Sequence, residues 1–243
     1  MTYNTTLFEP NINQSSNIIL PKIGFLILST DFTFEGDFAR LSYKYNSRFN
    51  AYVNRIRFAN PVNEKNLKHM LKDMPEIISD ILPDYPLDSI AFCCTSASAL
   101  IGDEQVFAAI QKGKPGANVL TTASASVARL KKFGHKKISL LTPYTKSVSL
   151  GVADYFEANG LEIVSLTYLN IEDDRDIAQV PTDAIKEAAI AAVAPDADAL
   201  FISCTALRVV EVKAELELEI GIPLFSSNHS TIWETMNSIG IGD

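Results

Sequence analysis

Two cysteines occupy matching places in the chain, and each is followed by threonine. Cys94 lies in DSIAFCCT, residues 88–95, and Cys204 lies in DALFISCT, residues 198–205. Two thiols that face one carbon suit proton transfer, because one removes a proton from one face while the other delivers a proton to the opposite face. The same pair can add a thiolate to an activated double bond, allow rotation and then eliminate. The cysteines therefore predict isomerisation chemistry that needs no cofactor.

Groups next to the two cysteines are suited to holding a carboxylate. Backbone N–H groups and the hydroxyls of Thr95, Ser96 and Thr205 are donors of the kind that bind anions at the start of a helix. A free thiol has a pKa of roughly 8.5, and a helix N-terminus can lower that pKa. Cys93 should point away from Cys94 if the strand alternation persists, and we therefore expect Cys93 in the packing.

The elements that must position these residues follow an alternating pattern. Apolar runs predict strands over 23–28, 51–58, 89–93, 119–122, 137–142, 161–168, 199–203 and 223–226. Helical spacing predicts helices over 63–82, 102–112, 146–159, 181–194, 207–220 and 230–239, with a further helix that ends at 133. Pro75 is expected to kink or divide the first of these helices. Strands that alternate with helices are typical of a parallel sheet covered by helices on both faces.

The two halves of the chain resemble one another in three places that keep their order. Residues 22–26 match 137–141, residues 88–95 match 198–205, and residues 119–122 match 224–227. We therefore expect an α/β fold of two pseudo-symmetric lobes, each with a parallel sheet flanked by helices. Ligands of such sheets bind beyond the carboxyl ends of the strands, so both cysteines should face one cleft between the lobes. The expected boundaries are a loose tail at 1–20, a first lobe at 21–120 plus 225–243, and a second lobe at 121–224.

The composition excludes several classes of protein. The 243 residues carry a formal charge of −8, with 47% hydrophobic and 21% charged residues, which fits a globular protein with a core. A pI near 5.0 argues against nucleic acid as a partner, because binding phosphates needs a basic patch. No apolar run approaches the roughly 18 to 20 residues of a membrane span, and the polar start of the chain predicts no secretory signal. Three cysteines without a disulfide framework predict a cytoplasmic protein with reduced thiols.

Motifs of common cofactor sites are missing from the sequence. The three histidines are scattered and the cysteines lack CxxC spacing, so we expect no metal. The patterns G-x-G-x-x-G and G-x-x-x-x-G-K-[ST] are absent, so we expect no nucleotide cofactor. His229 follows the last strand and should lie near the cleft mouth. An exposed apolar helix would allow a homo-oligomer, as in many proteins.

The cysteine motifs resemble those of the Asp/Glu racemase superfamily, and the resemblance runs from about residue 22 to about residue 240. The chain is most similar to the branch that contains maleate cis–trans isomerase, arylmalonate decarboxylase and the related ectoine-utilisation proteins. Members place one cysteine after a strand in each of two lobes, and Cys94 and Cys204 match these positions. Arylmalonate decarboxylase carries glycine at the position of Cys94. The resemblance therefore implies a two-thiol enzyme rather than a one-thiol decarboxylase.

Two further residues take expected roles from the same resemblance. Tyr144, in the segment LTPYT, matches a tyrosine that contacts the substrate carboxylate. Maleate isomerases usually have asparagine in the loop after the first strand, where this chain has Asp31, and an anion there would repel a substrate carboxylate. The ectoine-utilisation branch and the amino-acid racemases are similar in having aspartate in this loop. Asp31 is thus expected to meet a substrate ammonium, to polarise a thiol or to cap a helix.

These observations predict a cofactor-independent isomerase that acts on a small carboxylated substrate. The substrate is expected to be an amino acid derivative or a maleate-like diacid, so racemisation and cis–trans isomerisation both stay open. Decarboxylation is the first alternative, in which one cysteine protonates an enediolate. A non-enzymatic two-lobed sensor of small molecules is the second. The sequence leaves open which cysteine is the base or nucleophile.

Overall fold

Eight strands form two parallel sheets in the part of the chain that the computed structural model describes, residues 3–10, 20–45 and 47–242. The strands are β1 Lys22–Leu28, β2 Asn50–Ile56, β3 Ser89–Cys93, β4 Asn118–Thr121, β5 Lys137–Thr142, β6 Glu162–Tyr168, β7 Ala199–Ile202 and β8 Leu224–Ser226. The first sheet has the order β2-β1-β3-β4 and the second has the order β6-β5-β7-β8. The equivalent order confirms the predicted two-lobed α/β fold.

Helices connect the strands and cover both faces of the sheets. They are α1 Phe34–Ser42, α2 Glu64–His69, α3 Met74–Ser79, α4 Thr95–Ile101, α5 Asp103–Gly113, α6 Thr122–Lys132, α7 Lys146–Ala158, α8 Asp174–Ile177, α9 Thr182–Ala192, α10 Val209–Ile220 and α11 Ser227–Asn237. The long helix predicted over 63–82 is divided into α2, a 3-10 turn at Met70–Lys72 and α3. Pro75 lies in the first turn of α3, which confirms that it divides this segment. The sequence did not predict α1, α4 or α8.

Register between strands shows how closely the two lobes match. Ala91 of β3 pairs with Leu120 of β4, and the repeat-equivalent Phe201 of β7 pairs with Phe225 of β8. The central strands β3 and β7 are buried at every position, which explains their continuous apolar sequences. Both therefore end at the same depth in their lobes, and each places its cysteine turn at the carboxyl edge of its sheet.

An aromatic cluster holds α1 and α11 on one face of the first sheet. The ring of Phe25 in β1 lies 5.1 Å from the rings of Phe34 and Phe38 in α1, measured between centroids. Ile232 and Met236 of α11 are buried in the same cluster. The last helix thus packs on the first sheet, although β8 before it belongs to the second. The lobe boundaries themselves stay a prediction, and much of the expected tail lies outside the described residues.

The lobes meet through loops at the carboxyl edges of both sheets. The Thr33 hydroxyl, after β1, donates to the Ala206 carbonyl of the second lobe at 2.7 Å. The Val62 amide, after β2, donates to the Glu172 carbonyl at 2.7 Å. These contacts draw the loops of the two lobes together over the ends of the central strands. Among the described helices, none has the length and apolar character that a membrane crossing requires.

Phe25→Ala should lower the free energy of unfolding by about 3–5 kcal/mol, because it leaves a cavity in the aromatic cluster. Leu218→Ala is the matched control, since Leu218 is 86% exposed and its truncation should change stability by at most about 0.5 kcal/mol. Urea unfolding followed by circular dichroism measures both values. Equal effects of the two substitutions would contradict this placement of the core.

Candidate active site

Cys94 ends the central strand of the first lobe and stands directly before α4. Its backbone is extended, with φ −154° and ψ 111°, and its side chain is 5% exposed. The sulfur lies 3.6 Å from the Ser96 hydroxyl oxygen, and the Ala97 backbone N–H donates a hydrogen bond to it. The turn therefore presents a buried thiol that is surrounded by donors from the start of α4.

Cys204 occupies the equivalent place in the second lobe, but its turn is built differently. Its φ is +94°, a region that residues other than glycine rarely adopt, at a cost of about 1–3 kcal/mol. The Cys204 amide donates to the Ser227 hydroxyl at 3.0 Å, and the Ala206 amide donates to the Cys204 sulfur at 3.4 Å. Helix α10 begins only at Val209, so an irregular turn rather than a helix start shapes this half of the site.

The two thiols share one buried site with the Tyr144 hydroxyl. Tyr144 is 2% exposed, and its hydroxyl acts on the Cys204 thiol, whose pKa it lowers. Negative charge on Cys94 or Cys204 raises the pKa of Tyr144, and negative charge on Cys94 raises the pKa of Cys204, so the three groups are close to one another. The Ser203 hydroxyl also donates to the Tyr144 oxygen at 3.4 Å. The structure thus brings together the two cysteines and the tyrosine that the sequence selected from different lobes.

The three hydroxyls expected to hold a carboxylate all have partners within the protein. Thr95 shares a hydrogen bond of 2.7 Å with Ser227, and Ser96 faces the Cys94 sulfur. The Thr205 hydroxyl donates to the Cys93 carbonyl at 3.5 Å. Thr95 and Ser227 therefore join the first cysteine turn to the second. The roles of the three hydroxyls toward a substrate stay predictions.

Cys93 packs away from this site. Its sulfur donates to the Ala91 carbonyl at 3.5 Å, and its side chain is fully buried in the cluster that contains Phe25 and Phe34. Cys94 belongs to the hydrophobic cluster on the other face of the sheet. This confirms the prediction that strand alternation separates the two adjacent cysteines.

Asp31 lies in the loop after β1, as expected, and one of its oxygens has a clear structural role. Oδ1 accepts hydrogen bonds from the amides of Thr33 at 2.8 Å and Phe34 at 2.9 Å, and these bonds support the start of α1. Oδ2 is buried and has no hydrogen-bond partner among the described residues. Burial raises the pKa of Asp31, which is 1% exposed. The carboxyl thus supports the start of α1 through Oδ1, while the Thr205 hydroxyl acts on the carboxyl without a close hydrogen bond to Oδ2.

Asp174 is a site residue that the sequence reasoning missed. It is buried in the first turn of α8, and its Oδ2 accepts a hydrogen bond of 2.5 Å from the Thr30 hydroxyl of the other lobe. Burial raises its pKa to about 6, and its charge acts on both Cys94 and Cys204. The residue stands in the acidic segment EDD, which is typical of a solvated loop, so the sequence alone gave no signal for it.

Two more unpredicted residues hold the turn that follows Cys204. The Asn228 side-chain amide donates to the Thr205 carbonyl and to Asp37 Oδ2, both at 2.8 Å. Burial raises the pKa of Asp37 to about 7. A signal for this region did exist, because the repeat aligns Thr121 and Thr122 with the serines that begin α11. The turn is therefore fixed from both lobes.

His229, which the sequence placed near the cleft mouth, lies three residues after the end of β8. His229 Nδ1 lies 3.0 Å from the Ser226 hydroxyl oxygen, in the first turn of α11. Burial lowers the pKa of His229 to about 3, so the ring is neutral. Within residues 3–10, 20–45 and 47–242, no cluster of three or more His, Cys, Asp or Glu side chains is arranged to hold a metal ion.

Burial dominates the electrostatics of both thiols. It raises the pKa of Cys94 to about 12, although the Ala97 amide and the Ser96 hydroxyl act in the opposite direction. Burial also raises the pKa of Cys204, and the charge on Asp174 adds to this effect. The lowering of the Cys94 pKa by the start of α4 is therefore outweighed by burial. Both thiols are therefore protonated at neutral pH unless a nearby positive charge offsets the cost of burying a thiolate.

Two lobes of equivalent strand order, each with a buried thiol after its central strand, define a class of α/β protein with one pseudo-symmetric site. A family model of arylmalonate decarboxylase matches residues 82–243. The chain belongs to the arylmalonate decarboxylase family. This membership confirms the expected branch of the Asp/Glu racemase superfamily.

Individual relatives include both isomerases and a decarboxylase. The maleate isomerase of Alcaligenes faecalis is 27% identical in an alignment of 237 residues that covers 90% of this chain and 91% of the relative. The arylmalonate decarboxylase of Bordetella bronchiseptica is 27% identical over 125 residues, which cover 50% of this chain and 52% of the relative. These relatives bear out the expectation of an isomerase, and the decarboxylase alternative has less support.

Solved structures confirm the fold. A mutant of the Nocardia farcinica maleate cis–trans isomerase, with a covalently bound succinylcysteine intermediate, superposes with a TM-score of 0.83 at 22% identity. The superposition covers 91% of this chain and 94% of that chain. The two-lobed arrangement predicted from the internal repeat is thus shared with an experimentally determined structure.

Iodoacetamide should modify Cys94 slowly at pH 7, and the rate should rise up to about pH 10 without a plateau, because burial raises the thiol pKa to about 12. Mass spectrometry of a digest identifies the modified cysteine. Protein unfolded in guanidinium is the control, and its rate should level off above the ordinary thiol pKa of roughly 8.5. A plateau near pH 7 in the folded protein would show that the thiols are not held in their neutral form.

Proposed function

We propose that Cys94 and Cys204 are the catalytic pair of a cofactor-independent isomerase that acts on a small carboxylate bound between them. The observation that carries the proposal is the convergence of one thiol from each lobe on a single buried site beside Tyr144. A sensor needs no such pair of opposed acid–base groups.

The cytoplasmic location and the homo-oligomer stay predictions.

Racemisation is the first route open to this pair. The thiolate form of one cysteine takes the proton from the α-carbon, and the electron pair moves into the carboxylate to form an enediolate. The thiol of the other cysteine then gives its proton to the opposite face. One C–H bond breaks and another forms, so the composition of the substrate is unchanged and its configuration is inverted. The two cysteines exchange their protonation states.

Thiol addition is the second route. A thiolate forms a bond to one carbon of a C=C double bond, and the electron pair of the double bond moves into the neighbouring carboxylate. The former double bond is then single and rotates, after which the C–S bond breaks and the double bond re-forms. The Alcaligenes faecalis relative and the succinylcysteine in the Nocardia farcinica structure support this route for a maleate-like diacid.

Decarboxylation is the alternative with a specific observation in its favour, namely the family match over residues 82–243. In that reaction a C–C bond breaks, carbon dioxide leaves, and one cysteine protonates the enediolate that remains. A solved relative is a mutant in which glycine of arylmalonate decarboxylase is replaced by cysteine. Because this chain naturally has Cys94, the two-thiol reactions fit it better.

Cys94→Gly should lower turnover at least about 10³-fold, because it removes a group that acts in the transition state. Cys93→Ala is the matched control, since the neighbouring thiol lies in the packing and should be dispensable for turnover. Isomerisation of maleate and racemisation of amino acids are measured by proton NMR and chiral chromatography. Near-normal turnover by the Cys94 variant would exclude this cysteine from the reaction.

Turnover in deuterium oxide should place deuterium at the α-carbon of the product, because a thiol that receives the α-proton exchanges with water. We expect this racemase result since Asp31 would repel a second carboxylate of a diacid. Mass spectrometry of recovered amino acids and of fumarate from maleate provides the measurement. Unlabelled product, together with a more active Asp31→Asn enzyme, would instead establish the maleate-type route.

A further inference from the structure

Two buried carboxyls from different lobes approach the thiols. Asp31 is 1% exposed and Asp174 is 4% exposed. The Thr30 hydroxyl next to Asp31 donates to Asp174 Oδ2 at 2.5 Å, so the loops that carry the two carboxyls are in direct contact. The charge on Asp31 raises the pKa of Asp174, and the charges on both carboxyls raise the pKa of Cys94. The site therefore contains two acids as well as two thiols.

These carboxyls lack a direct counter-ion. Neither forms an ion pair with any described residue. Asp31 Oδ2 is buried, and the Thr205 hydroxyl, which donates to the Cys93 carbonyl, acts on the Asp31 carboxyl without forming a close hydrogen bond to Oδ2. Arg55 acts on Asp31, but its guanidinium donates to the carbonyls of Leu28 and Asp31 and to Glu35 Oε2. Its charge is thus largely shared with Glu35. A buried acceptor that the protein leaves unpartnered requires a donor from elsewhere.

The negative charge of this site favours one of the two substrate classes that the reaction chemistry leaves open, the amino acids and the dicarboxylates. A second carboxylate placed beside Asp31 and Asp174 would meet like charges in a site with little solvent screening. A substrate ammonium has three N–H donors and a positive charge. It would supply the missing donor to Asp31 Oδ2 and could replace the Thr30 hydroxyl on Asp174.

We propose that Asp31 and Asp174 together form an ammonium subsite, and that the substrate is an α-amino carboxylate rather than a dicarboxylate without nitrogen. This assignment of substrate class rests on the proposed function. It gives Asp31 two roles, because Oδ1 supports α1 while Oδ2 receives the ligand. It makes Asp174 a specificity residue of the second lobe.

The subsite also explains how the thiols become active. The charges on Asp31 and Asp174 disfavour a thiolate at Cys94, and Asp174 does the same at Cys204. An ammonium bound between the carboxyls offsets part of this negative charge and so favours loss of the thiol proton. A dicarboxylate would add negative charge and act in the opposite direction. Only the ammonium-bearing ligand makes the site more reactive as it binds.

Matched ligand pairs test the ammonium subsite in the full-length protein. The pairs are alanine and propionate, aspartate and succinate, and glutamate and glutarate, with both enantiomers of each amino acid. The members of a pair differ by one ammonium group. Isothermal titration calorimetry and protection of Cys94 from alkylation measure binding. We expect the amino acid of at least one pair to bind about tenfold or more tightly than its partner.

Charge-removing variants assign that preference to the two carboxyls. Asp174→Asn and Asp31→Asn should each lower the preference for the ammonium ligand by about tenfold, and the asparagine at position 31 keeps the oxygen that supports α1. Asp176→Asn is the matched control, because it removes an exposed charge from the same short helix and should leave the preference unchanged. Thermal melting confirms that each variant is folded.

The outcomes separate this inference from the proposed function. Equal or tighter binding of the nitrogen-free partners in every pair, or no ammonium-dependent binding at all, would overturn the subsite. Cys94-dependent turnover of maleate with no ammonium preference would overturn the subsite and leave the isomerase standing. An ammonium preference that both asparagine variants abolish, without Cys94-dependent turnover, would support the subsite and refute the catalytic proposal.

Discussion

The hydrogen bond between Thr95 and Ser227 joins the turns that carry the two thiols, and the geometry of the site depends on it. Ser227 also accepts the amide of Cys204, whose positive φ would be unfavourable without such a partner. Thr95 is the first residue of α4, and Ser227 is the first residue of α11. A two-hydroxyl link therefore fixes the separation of two cysteines that lie in different lobes.

The second constraint is the exclusion of solvent from the site between the lobes. Both thiols and both carboxyls are almost completely buried, and burial raises the pKa of each of them. Neutral thiols are poor bases and poor nucleophiles, so a ligand that offsets negative charge in the site would favour the reactive thiolate. The proposed ammonium subsite links recognition to reactivity, because the ammonium that identifies the substrate would also favour the thiolate.

The central features of the fold were predictable because they have local signals. Buried parallel strands have continuous apolar sequences, and the repeated Cys-Thr ending identified Cys94 and Cys204 across 110 positions of sequence. The role of Asp174 was not predictable, since its partner Thr30 is 144 residues away and its own segment is acidic. The direction of the thiol pKa was not predictable either. The Cys-Thr ending indicates a helix shortly after each cysteine, whereas the burial that outweighs the effect of a helix start arises only from the packing of two lobes.

A crystal structure of the protein with a small carboxylate bound would test the central claim most directly. The account predicts one ligand in the cleft between the lobes, with its reacting carbon between Sγ of Cys94 and Sγ of Cys204. The two sulfurs should be roughly 6 to 9 Å apart, which leaves near hydrogen-bond reach on each side of one tetrahedral carbon. Thiols that open into separate pockets, or a carboxylate that contacts neither sulfur, would contradict the two-cysteine mechanism.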